Sequence, residues 1–125
     1  MRKQLIGFVL GCMVLAMPAL AADLDQDVPP LIVIRFNQTH VDYAMPLYNT
    51  VSRALEVKPS AMFDIVSVSS AARTPQDQQY NNQIATQNVH KVLATLHNMG
   101  LPQSRIHLTS AADNVPSSEV RIFVR

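Results

Sequence analysis

The sequence is poor in the residues that several kinds of functional site require. It contains three glycines, one cysteine and no tryptophan. Two of the glycines, Gly7 and Gly11, and the cysteine, Cys12, lie within the first twelve residues. A glycine-rich phosphate-binding loop is therefore excluded from the rest of the chain. With no cysteine beyond Cys12, that remainder has neither a disulfide nor thiol chemistry.

Charge is sparse and balanced. Ten lysines and arginines stand against nine aspartates and glutamates, and charged residues make up 15% of the chain. This balance argues against nucleic acid as a partner and against electrostatic attachment to a membrane. His90 and His97 lie two helical turns apart, too far to share one ion, and no His-Glu-x-x-His motif occurs. We therefore predict no metal and no cofactor.

The first 21 residues are predicted to be an export signal. Arg2 and Lys3 precede an apolar stretch at residues 5–15, and Ala19-Leu20-Ala21 fits a small-x-small cleavage site. We predict cleavage before Ala22, a periplasmic location and no transmembrane anchor in the mature chain, because the apolar stretch is shorter than the roughly 20 residues of a spanning helix. Two alternatives are an uncleaved N-terminal anchor and a lipoprotein attached through Cys12.

Hydrophobic periodicity predicts one domain, residues 31–125, behind an extended lead-in at residues 22–30. The predicted order is strand, helix, strand, helix, strand, strand. We expect an α/β fold, an α+β sandwich in which two helices pack on one face of a mixed four-stranded sheet. Helices between strands require at least one parallel pair, and the short loop at residues 111–118 allows the last two strands to form an antiparallel hairpin.

Local signals predict where these elements begin, end and are buried. Asp42 is expected to cap the first helix, and Asp77 the second, with starts at Gln79 or Asn81 as alternatives. The opening strand, residues 31–36, is a continuous apolar run and is expected to be buried on both faces. Gly100 supplies a left-handed exit from the second helix.

Short motifs follow one another along the domain in a fixed order. They are Arg35-Phe36-Asn37, Ile65-Val66-Ser67-Val68, Tyr80-Asn81, Gly100-Leu101-Pro102 with Arg105-Ile106, and the closing strand at residues 119–124. In these motifs the chain resembles the OmpA-like family, the C-terminal domain of outer-membrane protein A and the peptidoglycan-associated lipoproteins. The resemblance covers residues 31–124. It implies a β-α-β-α-β-β domain that binds the diaminopimelate part of peptidoglycan.

The resemblance also implies a ligand clamp, and this chain departs from it. In the family, an Asp after the second strand and an Arg in the following helix hold the opposite charges of the ligand. Counting without gaps from Tyr80-Asn81 places Arg73 at the Asp position and Asn88 at the Arg position. Both clamp charges are therefore absent. The residues that we predict to bind a ligand or partner at the former ligand site are Arg73, Asp77, Tyr80, Asn81 and Asn88.

Three functions follow from these observations. The first is a non-catalytic envelope domain, a structural or adaptor subunit that contacts protein partners in an assembly such as a secretion or conjugation system. The second keeps peptidoglycan binding, with Arg73 and Asp77 as a rearranged clamp. The third is a small periplasmic hydrolase. It requires a Ser-His or Asp-His contact near residues 69–79, and no Gly-x-Ser-x-Gly elbow is present.

Overall fold

Four strands and two helices follow one another in the order expected from the sequence. The structure is a computed structural model that describes residues 28–125; the predicted signal, Cys12 and residues 22–27 of the lead-in lie outside this range. The elements are β1 (Ile32–Arg35), α1 (Ala44–Val57), β2 (Phe63–Ser70), α2 (Pro75–Asn98), a 3-10 turn (Gln103–Arg105), β3 (Ile106–Asp113) and β4 (Glu119–Val124).

The strands form one mixed sheet in the order β1-β4-β2-β3. The predicted parallel pair is present, since β2 and β3 run parallel. The predicted hairpin is wrong, because β4 lies antiparallel between β1 and β2 and never meets β3. Val120 and Ile122 of β4 are fully buried, and this apolar face suits a central position. β3, whose residues 109–112 are small or polar, lies at the edge of the sheet.

Both helices pack on the same face of the sheet, as predicted. Their buried side chains join those of the strands in one cluster, which includes Leu47, Val51, Phe63, Ile65, Val89, Val92, Leu96, Val120 and Ile122. Each fully buried side chain of this size stabilises the fold by about 1.5–3 kcal/mol. Alternate strand residues point to the other side of the sheet, which we call the open face. It carries Arg35, Asp64, Val66, Asp113, Glu119 and Arg121.

The structure corrects both predicted helix caps. Tyr43 is the N-terminal boundary of α1 and makes no capping bond with its side chain, so Asp42 does not cap this helix. The second helix begins at Pro75, earlier than predicted, and the hydroxyl of Thr74 accepts a hydrogen bond from the Asp77 N–H at 3.1 Å. The fixed φ angle of proline suits the first turn of a helix, so the helix begins at Pro75 and Asp77 lies in its first turn.

Two burial predictions are also wrong, and one backbone prediction is confirmed. In β1 only Ile34 is buried, because this strand lies at the edge of the sheet. The apolar spacing of Leu47, Tyr48, Val51, Ala54 and Leu55 in the sequence predicts that Tyr48 faces the core, but it is 48% exposed. Gly100 has a φ of 97°, the left-handed conformation expected after the second helix.

Candidate functional site

The predicted site residues surround the place where the end of β2 meets the start of α2 and the loop before β4. A groove of about 240 Å³ lies there, and we call it the mouth groove. It is lined by Phe36, Ser70, Asn81, Ile84, Pro116, Ser117 and Ser118. None of these residues carries a charge. The groove can therefore offer hydrogen bonds and apolar contact, but its lining cannot neutralise a charged ligand.

Among the predicted residues, Asn81 lines this groove and Asn88 bonds to a residue that lines it, so both amides bind within the fold. Asn81 and Asn88 are seven residues apart in α2, so they share one helix face. The Asn81 Nδ2 donates to the Ser70 carbonyl at 2.9 Å, and the Asn88 Nδ2 donates to the Ser118 Oγ at 2.6 Å. At the position where the resemblance implies a clamp arginine, a neutral amide instead ties the helix to the loop before β4.

The other three predicted residues lie outside the mouth groove. Arg73, Asp77 and Tyr80 are exposed, and Tyr80 keeps 64% of its surface in water. Among residues 28–125, neither Arg73 nor Asp77 takes part in an ion pair, and the two are not paired with each other. The structure thus places Asn81 and Asn88 on one face of α2, each with its own bond within the fold, and leaves Arg73 and Asp77 as two separate exposed charges.

Gln78, which no motif in the sequence singles out, joins the end of β2 to the first turns of α2. Its Oε1 accepts from the Ala72 N–H at 2.9 Å. Its Nε2 lies 3.0 Å from the Asn82 Oδ1, 3.2 Å from the Ser69 Oγ and 3.3 Å from the Ser70 carbonyl. The Gln78 Nε2 carries two N–H groups, so these three acceptors share its two donors. The side chain therefore fixes the loop that carries Arg73 and closes this end of the strand.

A second groove lies on the other side of α2, above the inner face of β3. We call it the serine groove; its volume is about 430 Å³. It is lined by Ser67, Ser69, Gln78, Asn82, Ala85, Thr86, Ser110, Ala111 and Ala112. The Ser67 Oγ donates to the Ala85 carbonyl at 3.3 Å, which binds the helix to the sheet. This groove is also without charge, and its hydroxyl and amide groups suit neutral polar contacts.

Four charged residues at this end of the sheet form ion pairs with one another on the open face. The Glu119 side chain is 8% exposed and accepts from the Arg121 Nε at 3.0 Å. Arg35, on the neighbouring strand, lies 3.5 Å from Glu119, and the Arg121 Nη2 lies 3.2 Å from Asp113. We call these four residues the charge network. It connects β1, β3 and β4, and so holds both ends of the loop that carries Ser118.

Two of the pKa values in the network shift in the direction that strengthens it. The hydrogen bond from the Asn114 N–H, and after it the bond from Arg121, lower the pKa of Asp113. Partial burial opposes the charge of Arg121, but its hydrogen bonds to Glu119 and Asp113 outweigh that effect and raise its pKa. Both groups are therefore held in their charged forms.

The comparisons with known proteins add no relative: no protein-family model matches the chain, and no curated protein matches it. The family resemblance therefore stays a prediction that depends on the motifs.

The structure also bears on the hydrolase, metal-binding and membrane-anchor alternatives. All four histidines are exposed, and neither the mouth groove nor the serine groove contains one, so the Ser-His contact that a hydrolase would need is not found at these grooves. Within residues 28–125, no three His, Cys, Asp or Glu side chains are grouped to hold a metal ion. In the same range no helix has both the length and the apolar character needed to cross a bilayer.

Proposed function

We propose that the protein is an exported, non-catalytic domain of the bacterial cell envelope that serves as a structural or adaptor subunit and contacts a protein partner. The observation that carries this proposal is that the mouth groove is uncharged and that two of its polar side chains already have hydrogen-bond partners within the chain. Its lining is uncharged; the lining amide, Asn81, is bonded to Ser70, and the lining hydroxyl of Ser118 is bonded to Asn88 of the same chain.

The chemistry of diaminopimelate explains why this state matters. The free end of diaminopimelate carries an ammonium and a carboxylate, and a site that selects it needs opposite charges at fixed positions. Such positions must be held to within about 0.5 Å by their surroundings. Asn88 lies where the resemblance implies the cation, and its short bond to Ser118 would have to break before the amide could reach a ligand. These features favour a retained scaffold over a retained peptidoglycan clamp.

A second candidate function, peptidoglycan binding through a rearranged site, is favoured by one observation. Arg73 and Asp77 lie four residues apart at the start of α2, are exposed, and form no ion pair among residues 28–125. They are therefore free to bind the carboxylate and the ammonium of a zwitterionic ligand. This candidate predicts that both charges are needed for binding.

One experiment separates the two candidates. The mature protein, residues 22–125, is sedimented with purified sacculi and titrated with a muropeptide that contains diaminopimelate. The variants are Arg73→Ala and Asp77→Ala, and the matched controls are Lys91→Ala and Glu56→Ala, which remove exposed charges elsewhere. Thermal melting confirms that each variant is folded.

The structural or adaptor proposal predicts no saturable binding by the folded parent protein. Saturable binding that is lost in both Arg73→Ala and Asp77→Ala, and kept in both controls, would overturn it in favour of the rearranged clamp. Binding that every variant keeps would contradict both candidates. The mass of the protein recovered from cells separately tests export, since cleavage leaves Ala22 at the N-terminus and lipidation leaves an acylated Cys12.

A further inference from the structure

The strand β3 presents a long free edge. Among residues 28–125 it pairs only with β2, in an unbroken parallel register from Phe63↔Ile106 to Ser70↔Asp113. Its residues from 107 to 113 are all exposed, and Leu108 keeps 43% of its surface in water. The edge is eight residues long, longer than the usual strand of five or six.

The backbone groups that face outward can be identified. The Ala71 N–H donates to the Asp113 carbonyl at 2.8 Å, so Asp113 directs its polar backbone groups toward β2. Alternate residues of a strand direct theirs to opposite sides. The four residues whose N–H and C=O groups point away from the sheet are therefore Ile106, Leu108, Ser110 and Ala112.

The other edge of the same sheet is protected, and this one is not. β1 has only four residues, follows Pro29-Pro30 and ends at Arg35. Short length, proline and charge are the usual means of blocking unwanted strand pairing. β3 contains no proline, no lysine and no bulge. An unprotected edge of this length is a template for another strand.

We propose that a second copy of this chain binds at this edge, with the two β3 strands antiparallel and Thr109 on the two-fold axis. This register places Leu108 opposite Ser110 of the second copy, and Ile106 opposite Ala112 of the second copy. All four outward-facing residues then fall in hydrogen-bonded pairs, which satisfies their four N–H and four C=O groups in each copy. Any shift of the register leaves at least one of these residues without a partner in the strand.

The sizes of the side chains along β3 also support a second copy of this chain as the partner. On the inner face, the large residues Ile106 and Leu108 meet the small residues Ala112 and Ser110 of the second copy. Ser110 and Ala112 line the serine groove, so the apolar side chains of the second copy would cover the open side of that groove. The strand is thus complementary to itself when reversed.

Charge supports the antiparallel direction. The basic Arg105 lies just before β3, where its Nη1 donates to the Pro59 and Ala61 carbonyls, and the acidic Asp113 lies at the end of the strand. An antiparallel pair brings each basic start beside the acidic end of the other copy, whereas a parallel pair would bring like charges together. A contact made by one strand pair is smaller than a standard protein interface, so we expect a weak, reversible dimer.

A cross-linking experiment tests the register. In the Cys12→Ser background, Thr109→Cys places one thiol from each copy at a non-hydrogen-bonded pair, where Cα atoms lie about 4.5 Å apart, within reach of a disulfide. Ser110→Cys is the matched control one residue away, because its two copies would lie more than about 7 Å apart. Mild oxidation should give a covalent dimer with Thr109→Cys and far less with Ser110→Cys. Equal cross-linking, or none with Thr109→Cys, would overturn the register.

Sedimentation velocity of the full exported protein over a range of concentrations tests the association itself. Ser110→Pro removes an N–H that faces away from β2, so the ladder with β2 is kept while the contact between copies is lost. Thr109→Lys places two like charges at the axis, and Thr39→Lys adds the same charge to an exposed loop as the control.

The parent and Thr39→Lys should dimerise, and the two β3 variants should weaken the dimer at least about tenfold. A parent that stays monomeric at about 100 µM overturns the proposal. So does a dimer that survives both β3 variants, because its contact would lie elsewhere. In a monomeric parent, slow hydrogen exchange at residues 108 and 110 would mean that another segment covers the edge.

Discussion

Replacing Glu119 by Gln tests whether the charge network stabilises the loop before β4. Glu119 is the buried centre of that network, with 8% of its side chain exposed between Arg121 at 3.0 Å and Arg35 at 3.5 Å. Glutamine keeps the shape and one acceptor oxygen but removes the charge. The two arginines then lose their shared carboxylate, and Arg121 keeps only Asp113.

The size of the effect follows from the exposure of each partner. A hydrogen bond between charged groups contributes about 1.5–3 kcal/mol, and the glutamine oxygen retains part of the bond to Arg121. Arg35 is 62% exposed, so its ion pair adds at most about 0.5 kcal/mol. The lower cost of burying a neutral amide offsets some of the loss. We expect Glu119→Gln to reduce the free energy of unfolding by about 1–2 kcal/mol, which for a domain of this size lowers Tm by about 4–16 °C.

Urea denaturation and thermal melting at pH 7 and low salt measure this loss. Glu56→Gln is the control, because it removes the same charge from an exposed site on α1 and should change stability by less than about 0.5 kcal/mol. If Glu119→Gln is no less stable than the control, the network does not stabilise the fold. If it is more stable than the parent, the desolvation of the buried carboxylate costs more free energy than its bonds to the two arginines contribute, and the reasoning is refuted.

Three further predictions concern single contacts. Asn88→Ala removes the bond to the buried Ser118 and should lower the free energy of unfolding by about 1 kcal/mol in urea titration, while the exposed Asn98→Ala should not. Asp113→Asn should destabilise the protein at pH 7. Because the folded pKa of Asp113 lies below its ordinary value of 3.8, its stabilisation is present above that value and is lost as pH falls through the lower folded pKa. Melts at pH 7 and at about pH 3 should therefore show a smaller difference between variant and parent at the acidic pH. Gly100→Ala meets no atom within 4 Å but adopts a φ of 97°, so strain alone should cost about 1 kcal/mol, and a loss near zero would show that the connection to β3 relaxes.

The sequence predicts the elements of this fold well and the neighbours within the sheet poorly. The stripe Ala85, Val89, Val92 and Leu96 repeats at helical spacing, and all four residues are buried in α2. Alternation within a strand, however, reveals only which residues share a face. It does not reveal that β4 inserts between β1 and β2, because that choice depends on which strands cover which apolar surface.

In the candidate site, too, the sequence predicts some features, and others depend on distances that only the fold gives. The spacing of seven residues between Asn81 and Asn88 predicts a shared helix face, and both reach the mouth groove region. Gln78 could not be separated from its neighbouring glutamines, because only distance in the fold gives it four partners. The helix start could have been found, since Thr74-Pro75 followed by Asp77 is a recognisable cap, proline and first-turn acid.

The proposed function and the proposed dimer depend on different polar groups, which are bonded within the chain in the first case and open to a partner in the second. Either proposal can therefore fail without the other. At the mouth groove the amides of Asn81 and Asn88 are bonded within the chain, so a ligand there must first break those bonds. Along β3 four outward-facing residues have backbone groups that pair with no other strand among residues 28–125. A partner strand therefore displaces no strand of that range at this edge. Thr109→Lys should abolish self-association without changing the outcome with sacculi, whereas Arg73→Ala should leave the dimer intact.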